Sequence, residues 1–459
     1  MKNINAQKSK KEMDMIHGKL LGKLIIFVIP VMLSGILQLL FNAADVVVVG
    51  RFAGDESLAA VGSTGALINL LTNLFIGLSV GVNVVVAHFY GSNNRSRIPA
   101  AVHTGIMVAV ICGLFMTLIG VLFADDLLIL MSTPADVLGL ATIYLRIYFL
   151  GMPAMMVYNF GAAILRASGD TKRPLYFLTA AGVVNVGLNL LFVIVFQMGV
   201  EGVGWATVIS QYMSAAMIMI CLIWEKEELH FSVKLLKIDK QILLRIIKIG
   251  LPAGLQGTVF SLSNVVIQSS VNSFGKLVVA GNAAASNLEG FVYIAMNSFH
   301  QTAITFVGQN YGAGDRKRVL KVTILCMTMV TIVGLVLGNL MVVFGRPLLE
   351  IYSQSRLVVD YGYVRLQYIC TIYCLCGMMD TMVGALRGVG YSIAPMIVSI
   401  LGACGLRLVY IATIFSLIHT QECLYLSYPI SWFVTLCVHI LIFTIVYRKK
   451  LPARMILVK

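Results

Sequence analysis

Long apolar stretches alternate with short polar ones along the whole chain, and twelve of them are long enough to be membrane crossings. At 1.5 Å per residue, each covers the roughly 30 Å of hydrocarbon in a bilayer. They are predicted at residues 22–50, 58–87, 100–123, 137–163, 174–197 and 202–224, then 245–273, 278–306, 319–343, 360–385, 392–416 and 424–447. Glycine is scattered through them. The short alternating runs of an outer-membrane barrel are absent, so the elements are helices.

The second six stretches repeat the first. Tyr90, Gly91, Arg95 and Arg97 recur as Tyr311, Gly312, Arg316 and Arg318, at an offset of 221. At the same offset Phe123 recurs as Phe344, Ser132 as Ser353, Leu165-Arg166 as Leu386-Arg387 and Pro174 as Pro395. A copy with an even number of crossings starts in the same direction as its original. The halves are therefore related by a two-fold axis along the membrane normal. The expected domains are an amino-terminal six-helix bundle with its tail (1–224), a linker (225–244) and a carboxy-terminal bundle (245–459). In the charged stretch Glu225 to Lys248, the Leu/Ile pattern predicts a short interfacial helix, with an unstructured tether as the alternative. Duplication in so apolar a chain points to a transporter with its site between two bundles.

Composition agrees. Hydrophobic residues are 59% of the chain and charged residues 12%, about half the charged share of a soluble domain. With the amino terminus inside, inner segments hold 27 of the 34 Lys and Arg, among them Lys8, Lys10, Lys11, Arg95, Arg97, Arg316, Arg318 and Lys450. Arg51, Lys276, Arg346 and Arg356 fall in outer loops, and Arg146, Arg365 and Arg407 within crossings. That asymmetry predicts a plasma-membrane protein with both termini cytoplasmic. It also accounts for the net charge of +14 as a topology signal and an attraction to membrane lipids, with no nucleic-acid surface. The first twenty residues are polar and basic, without a cleavable signal. The nine cysteines show no metal spacing; Cys370, Cys374 and Cys376 share one predicted helix and read as small packing residues.

Three carboxylates fall inside crossings: Asp45, Glu289 and Asp380. Each would cost about 3 kcal/mol facing lipid, so all three should face the interior. Arg407 should either pair with Glu289 or Asp380 or reach the outer interface. Arg166 and Arg387 lie at the inner ends of the fourth and tenth crossings, where lipid phosphate or helix carbonyls would satisfy them as structural or gating charges. Pro30 and Pro252 fall early in the first helix of each half, as fixed kinks or hinges. Phe41, Tyr158, Phe291, Tyr293, Phe299 and Tyr373 are candidate cavity aromatics for a cation, with ordinary packing as the alternative. The same holds for Met155, Met156, Met378, Met379 and Met382. The seven histidines are scattered and form no catalytic cluster.

Several of these segments resemble one family. The run from Thr302 to Arg318, TAITFVGQNYGAGDRKR, is similar to the inner loop of the multidrug and toxic compound extrusion (MATE) family. So are Leu165 to Asp170, Leu386 to Gly388, and Gly202 to Gln211. The resemblance covers nearly the whole chain and both halves. It implies two six-helix bundles forming a V around a central cavity. It implies a monomeric antiporter, not an enzyme, that exports amphipathic organic cations against an inward flow of Na⁺ or H⁺ and needs no other cofactor. The family's ion-coupling Asp falls at Asp45, and a related cation site would be completed by Asn185, Asn189 and Thr207. Asn189 departs from the family, where many relatives carry Asp, and Phe260 stands where one branch carries Glu. An acidic residue at the place of Asp380 recurs in the sodium-driven branch. A flippase for lipid or lipid-linked precursors, of the same superfamily, is the alternative. Twelve crossings and mostly acidic intramembrane groups favour cationic cargo.

Overall fold

The computed structural model describes residues 13–131, 133–225 and 228–449, and every regular element among them is helical. Ser132 of the repeat, and Lys8, Lys10, Lys11 and Lys450 of the charge pattern, lie outside the described residues.

In the first half, α1 is Leu20–Phe52, α2 Asp55–Gly91 and α3 Ile98–Leu122. α4 is a pair, Ala135–Leu150 and Met152–Ser168, bent by 45°. α5 is Lys172–Leu190, widening into a π turn at Leu191–Val195, and α6 is Gly199–Trp224. In the second half, α7 is Lys240–Asn272, α8 Lys276–Gly312 and α9 Arg316–Val343. α10 is again a pair, Arg356–Cys370 and Cys374–Gly388, bent by 47°. α11 runs from Ile393–Ser399 through π turns at Ile400–Leu406 and Ile411–Phe415, and α12 is Gln421–Lys449.

Nine of these helices are individually long and apolar enough to cross a bilayer, and the bent pairs bring the number to eleven. The twelfth, α8, has the length, 37 residues, but carries Asn282, Glu289, Asn297, His300 and Gln301. It can do so because α1, α2, α9 and α10 pack around it. Asn282, Glu289 and His300 are buried in protein, where partners replace water. The chain is thus a twelve-helix all-α membrane protein built of two repeats.

The breaks are not where proline alone would put them. α1 and α7 continue through Pro30 and Pro252. The bends fall at Gly151 and at residues 371–373, equivalent places in the two halves. In α4, Pro153 follows the break and cannot donate a helical hydrogen bond. In α10, the Thr371 hydroxyl donates back to the Gln367 carbonyl at 2.6 Å, a bond that competes with the helix.

The expected interfacial helix between the halves is not formed. The described linker residues hold one 3₁₀ turn, Val233–Leu235, and α7 already begins at Lys240, so residues 240–244 belong to that helix. The apolar residues are used otherwise. Leu229 and Phe231 are buried against the first half, and Phe231 stacks on His103.

Glycine brings the halves together at two crossings. A Cβ on Gly77 or Gly81 of α2 would lie 2.2 or 2.3 Å from the backbone of α7, and one on Gly250 or Gly254 of α7 would meet α2 at 2.5 or 2.1 Å. Both pairs are spaced by four, the small-residue pattern that lets membrane helices touch backbone to backbone. Further along, Gly91 of α2 lies against Gln309 of α8, and Gly312 lies reciprocally against His88. The Thr305 hydroxyl to Asn83 Oδ1 (3.1 Å), His88 to the Gly388 carbonyl (2.7 Å) and Gln309 to the Ala167 carbonyl (2.7 Å) seal the same end. This is the end that bears the basic loops at Arg95–Arg97 and Arg316–Arg318.

Candidate functional site

Beyond this closure lie two cavities, one lined mainly by the first half together with Tyr293, Ile294, Asn297, Ser298 and Gln301 of α8, the other by the second half. The amino-terminal one holds about 510 Å³. On α1, Ser34, Gln38, Asn42 and Asp45 recur at helical spacing and line it as a polar stripe, with Phe41 beside them. α5 approaches closely because Gly182 has no side chain: a Cβ there would lie 1.8 Å from the Phe41 ring. One and two turns further on, Asn185 and Asn189 reach the level of Asp45. The Asn189 amide nitrogen donates to the Asp45 carboxylate and, at 3.3 Å, to Asn185 Oδ1. Its own Oδ1 is buried without a partner. Thr207 of α6 lines the cavity and donates to the Val203 carbonyl at 2.9 Å. Three oxygen-bearing side chains, Asn185, Asn189 and Thr207, thus gather around one carboxylate. No trio of His, Cys, Asp and Glu among the described residues could hold a transition metal. The oxygen set instead suits a hard monovalent cation or a proton.

The carboxy-terminal cavity holds about 390 Å³. Glu289 of α8 lies on its wall, and both of its oxygens are taken. Arg365 of α10 donates from Nε and Nη2 at 2.7 and 2.8 Å, and from Nη1 to Asn282 at 2.7 Å. This is the forked geometry that makes a guanidinium–carboxylate pair strong when buried. Asp380 lies on the same wall, beside Tyr293, whose ring lines both cavities. Tyr373, Tyr428 and Trp432 supply aromatic faces.

Five expected placements are corrected by these contacts. Arg407 does not pair with Glu289 or Asp380; Arg365 has taken Glu289, and Arg407 donates to the Ser431 hydroxyl at 3.0 Å. Arg387 is not held by lipid phosphate. It is 5% exposed, donates to Gln256 at 2.8 Å and sits 3.4 Å from His300 Nε2. Arg166 likewise turns inward and lines the amino-terminal cavity, with its Nε buried and unpartnered. Phe299 is 2% exposed in the packed core of the second half, and neither it nor Phe291 lines a cavity. Phe41, Tyr158 and Tyr293 do line one, with the Tyr158 hydroxyl held by the Pro174 carbonyl at 3.0 Å. Of the methionines, Met155 and Met379 reach cavities. Arg365 and Trp432 escaped the reading of the sequence. An arginine inside a crossing is itself a sign of a buried partner, and that sign was available for Arg365.

The profile of the MatE family matches the chain twice, over residues 30–191 and 252–413. The chain belongs to the MATE family. Its relatives include "Probable multidrug resistance protein YoeA" of Bacillus subtilis (strain 168), 28% identical over 94% of this chain and 95% of the relative. The FAD transporter of Shewanella oneidensis is 24% identical over 90% of this chain and 93% of its own length. A solved outward-facing conformation of a multidrug resistance MATE family transporter superposes with a TM-score of 0.89 at 20% identity, covering 96% of this chain and 99% of that one. This MATE chain is therefore a multi-span membrane transporter of small molecules, not an enzyme.

Proposed function

We propose that this MATE transporter exports amphipathic organic cations by antiport, with Asp45 as the ion-coupling group. The observation that carries this reading is the Asp45 carboxylate inside a cavity of about 510 Å³, met by Asn189, with Asn185 and Thr207 on the same wall. One carboxylate among neutral oxygens holds one proton or one Na⁺. With Asn189 oriented to donate, a proton on Asp45 needs no rearrangement. Na⁺ would need the amide turned so that its unpartnered Oδ1 faces the ion. Residues 1–224 and 245–459 act as two lobes, with 225–244 as the tether between them. They rock about the glycine crossings, and Pro30 and Pro252 are hinge candidates beside the bends in α4 and α10. Phe41, Tyr158 and Tyr293 line the path of the cargo. The basic end faces the cytoplasm of the plasma membrane, a reading the loop charges support, and the protomer works alone.

The test uses the purified full chain in proteoliposomes loaded with a fluorescent organic cation, with Na⁺ and pH gradients imposed separately. Transport should follow one gradient and vanish in Asp45→Asn while the protein elutes and melts as folded. Gradient-driven transport at the full rate by that variant refutes the reading. Movement of cargo in wild type that ignores both gradients would point to a flippase-like cycle.

A further inference from the structure

The formal charges lining the carboxy-terminal cavity, Glu289, Arg365, Asp380 and Arg407, balance in number but not in pairing. Glu289 and Arg365 neutralise each other through their double hydrogen bond. Asp380 is offset by Arg387, which interacts with it from outside the cavity lining, and the guanidinium left on the wall is Arg407. Among the described residues no acid lies within salt-bridge distance of Arg407. It is 6% exposed, lines the cavity, and its Nε and Nη2 both turn to a neutral hydroxyl, Ser431, at 3.3 and 3.0 Å. Its face rests on the Tyr428 ring, 4.1 Å to the centroid. A second polar atom on the wall, Ser263 Oγ, is buried beside the Cys404 thiol with no oxygen or nitrogen partner.

A buried guanidinium without a counter-charge is costly, and a fork of free N–H groups matches a planar carboxylate or a phosphate. Stacking on Tyr428 fixes the plane of the fork, so little ordering is left for a ligand to impose. Beside it Tyr373 and Trp432 stack at 5.3 Å and offer flat apolar surface. The volume is that of a small-molecule site.

We propose that the carboxy-terminal cavity is an anion-binding site. It takes a phosphate or carboxylate borne on an aromatic or acyl body, with Arg407 as the ligand of the anion, Ser263 as a further donor, and Trp432 and Tyr373 against the body. The two lobes then hold opposite chemistries: a carboxylate awaiting a cation in one, a guanidinium awaiting an anion in the other. The occupant is either a solute or the headgroup of an anionic lipid. The proposal goes beyond the antiport reading and does not depend on it.

The test is calorimetric binding to the full-length protein in phosphatidylcholine nanodiscs, with no gradient and no transport. The probes are 2-naphthyl phosphate, 2-naphthoate and the neutral 2-naphthalenemethanol. Both anions should bind at least about 10-fold more tightly than the alcohol, the size of a hydrogen bond to a charged group. Arg407→Gln should erase that preference, and Arg407→Lys should keep part of it, as a point charge without the fork. Replacing part of the lipid by phosphatidylglycerol should weaken naphthyl phosphate binding if a lipid headgroup is the occupant, and leave it unchanged if a solute is. Equal affinity of wild type for phosphate and alcohol overturns the proposal without any variant. So does a preference that survives in folded Arg407→Gln, since the anion would then sit elsewhere, for instance at Arg166.

Discussion

Asn189 donates its side-chain amide to the carboxylate of Asp45, tying the end of α5 to α1 inside the amino-terminal cavity. The same amide reaches Asn185 Oδ1, so one NH₂ group bridges two oxygens. A coordinated cation would make the same bridge. The amide thus stands where positive charge is wanted and supplies only a dipole.

Asn189→Asp should restore a second carboxylate beside Asp45. Two acids sharing a site cannot both stay ionised without a bound cation or a shared proton. Transport in proteoliposomes should become more dependent on Na⁺, with half-maximal activity at lower Na⁺ than in wild type. An unchanged Na⁺ response would remove Asn189 from the ion site.

The Glu289–Arg365 pair is a stability element. Glu289→Gln strands a buried guanidinium, and removal of one partner from such a pair costs about 3–5 kcal/mol. The melting temperature in detergent should fall by several degrees. The double variant Glu289→Gln, Arg365→Gln should lose less than the sum of the singles. Additive losses would mean that the two side chains are not coupled.

Closure of the basic end depends on Gly91. Its missing side chain lets the Gln309 carbonyl come within 1.9 Å of where a Cβ would stand. Gly91→Val should push α2 and α8 apart and shift the protein away from the closed arrangement. Spin labels at Asn93 and Asp315, on the facing loops, should report a longer or broader distance. The wild-type distribution in the variant would rule this gate out.

Asp239 caps α7 from the linker. Its carboxylate is held below the usual range, first by the Ile242 N–H, then by the Gln241 N–H and Arg97, against the opposing effect of desolvation. A depressed carboxylate stabilises the fold fully above its unfolded pKa of about 3.9 and loses that effect as pH falls through the folded value. Asp239→Ala should therefore destabilise by up to about 1 kcal/mol at neutral pH. The gap to wild type should close below about pH 4. A gap independent of pH would show that capping by charge plays no part.

Much of the fold is legible in the chain because bilayer crossings carry a long-range apolar signal. Even so, α8 fails an apolarity test by itself and shows as a crossing only through its length and its place in the repeat. The bends at Gly151 and residues 371–373 were missed because Pro30 and Pro252 are the louder signals, yet those helices carry their prolines without a break. The stretch Glu225 to Lys248 reads as a short interfacial helix from its Leu/Ile pattern, but Leu229 and Phe231 are spent covering the first lobe.

The sequence by itself determined the number of crossings, the duplication, the loop asymmetry and the need for Asp45, Glu289 and Asp380 to face inward. Those follow from length, periodicity and the cost of charge in hydrocarbon, which act on each segment alone. Which charge meets which was decided only by tertiary structure. Glu289 met Arg365 and not Arg407, because α8 and α10 pack side by side with both side chains aimed at one spot, while Arg407 lies on α11 against Ser431 and Tyr428. Ion pairs are short-range and depend on helix rotation, and no one-dimensional pattern carries that rotation.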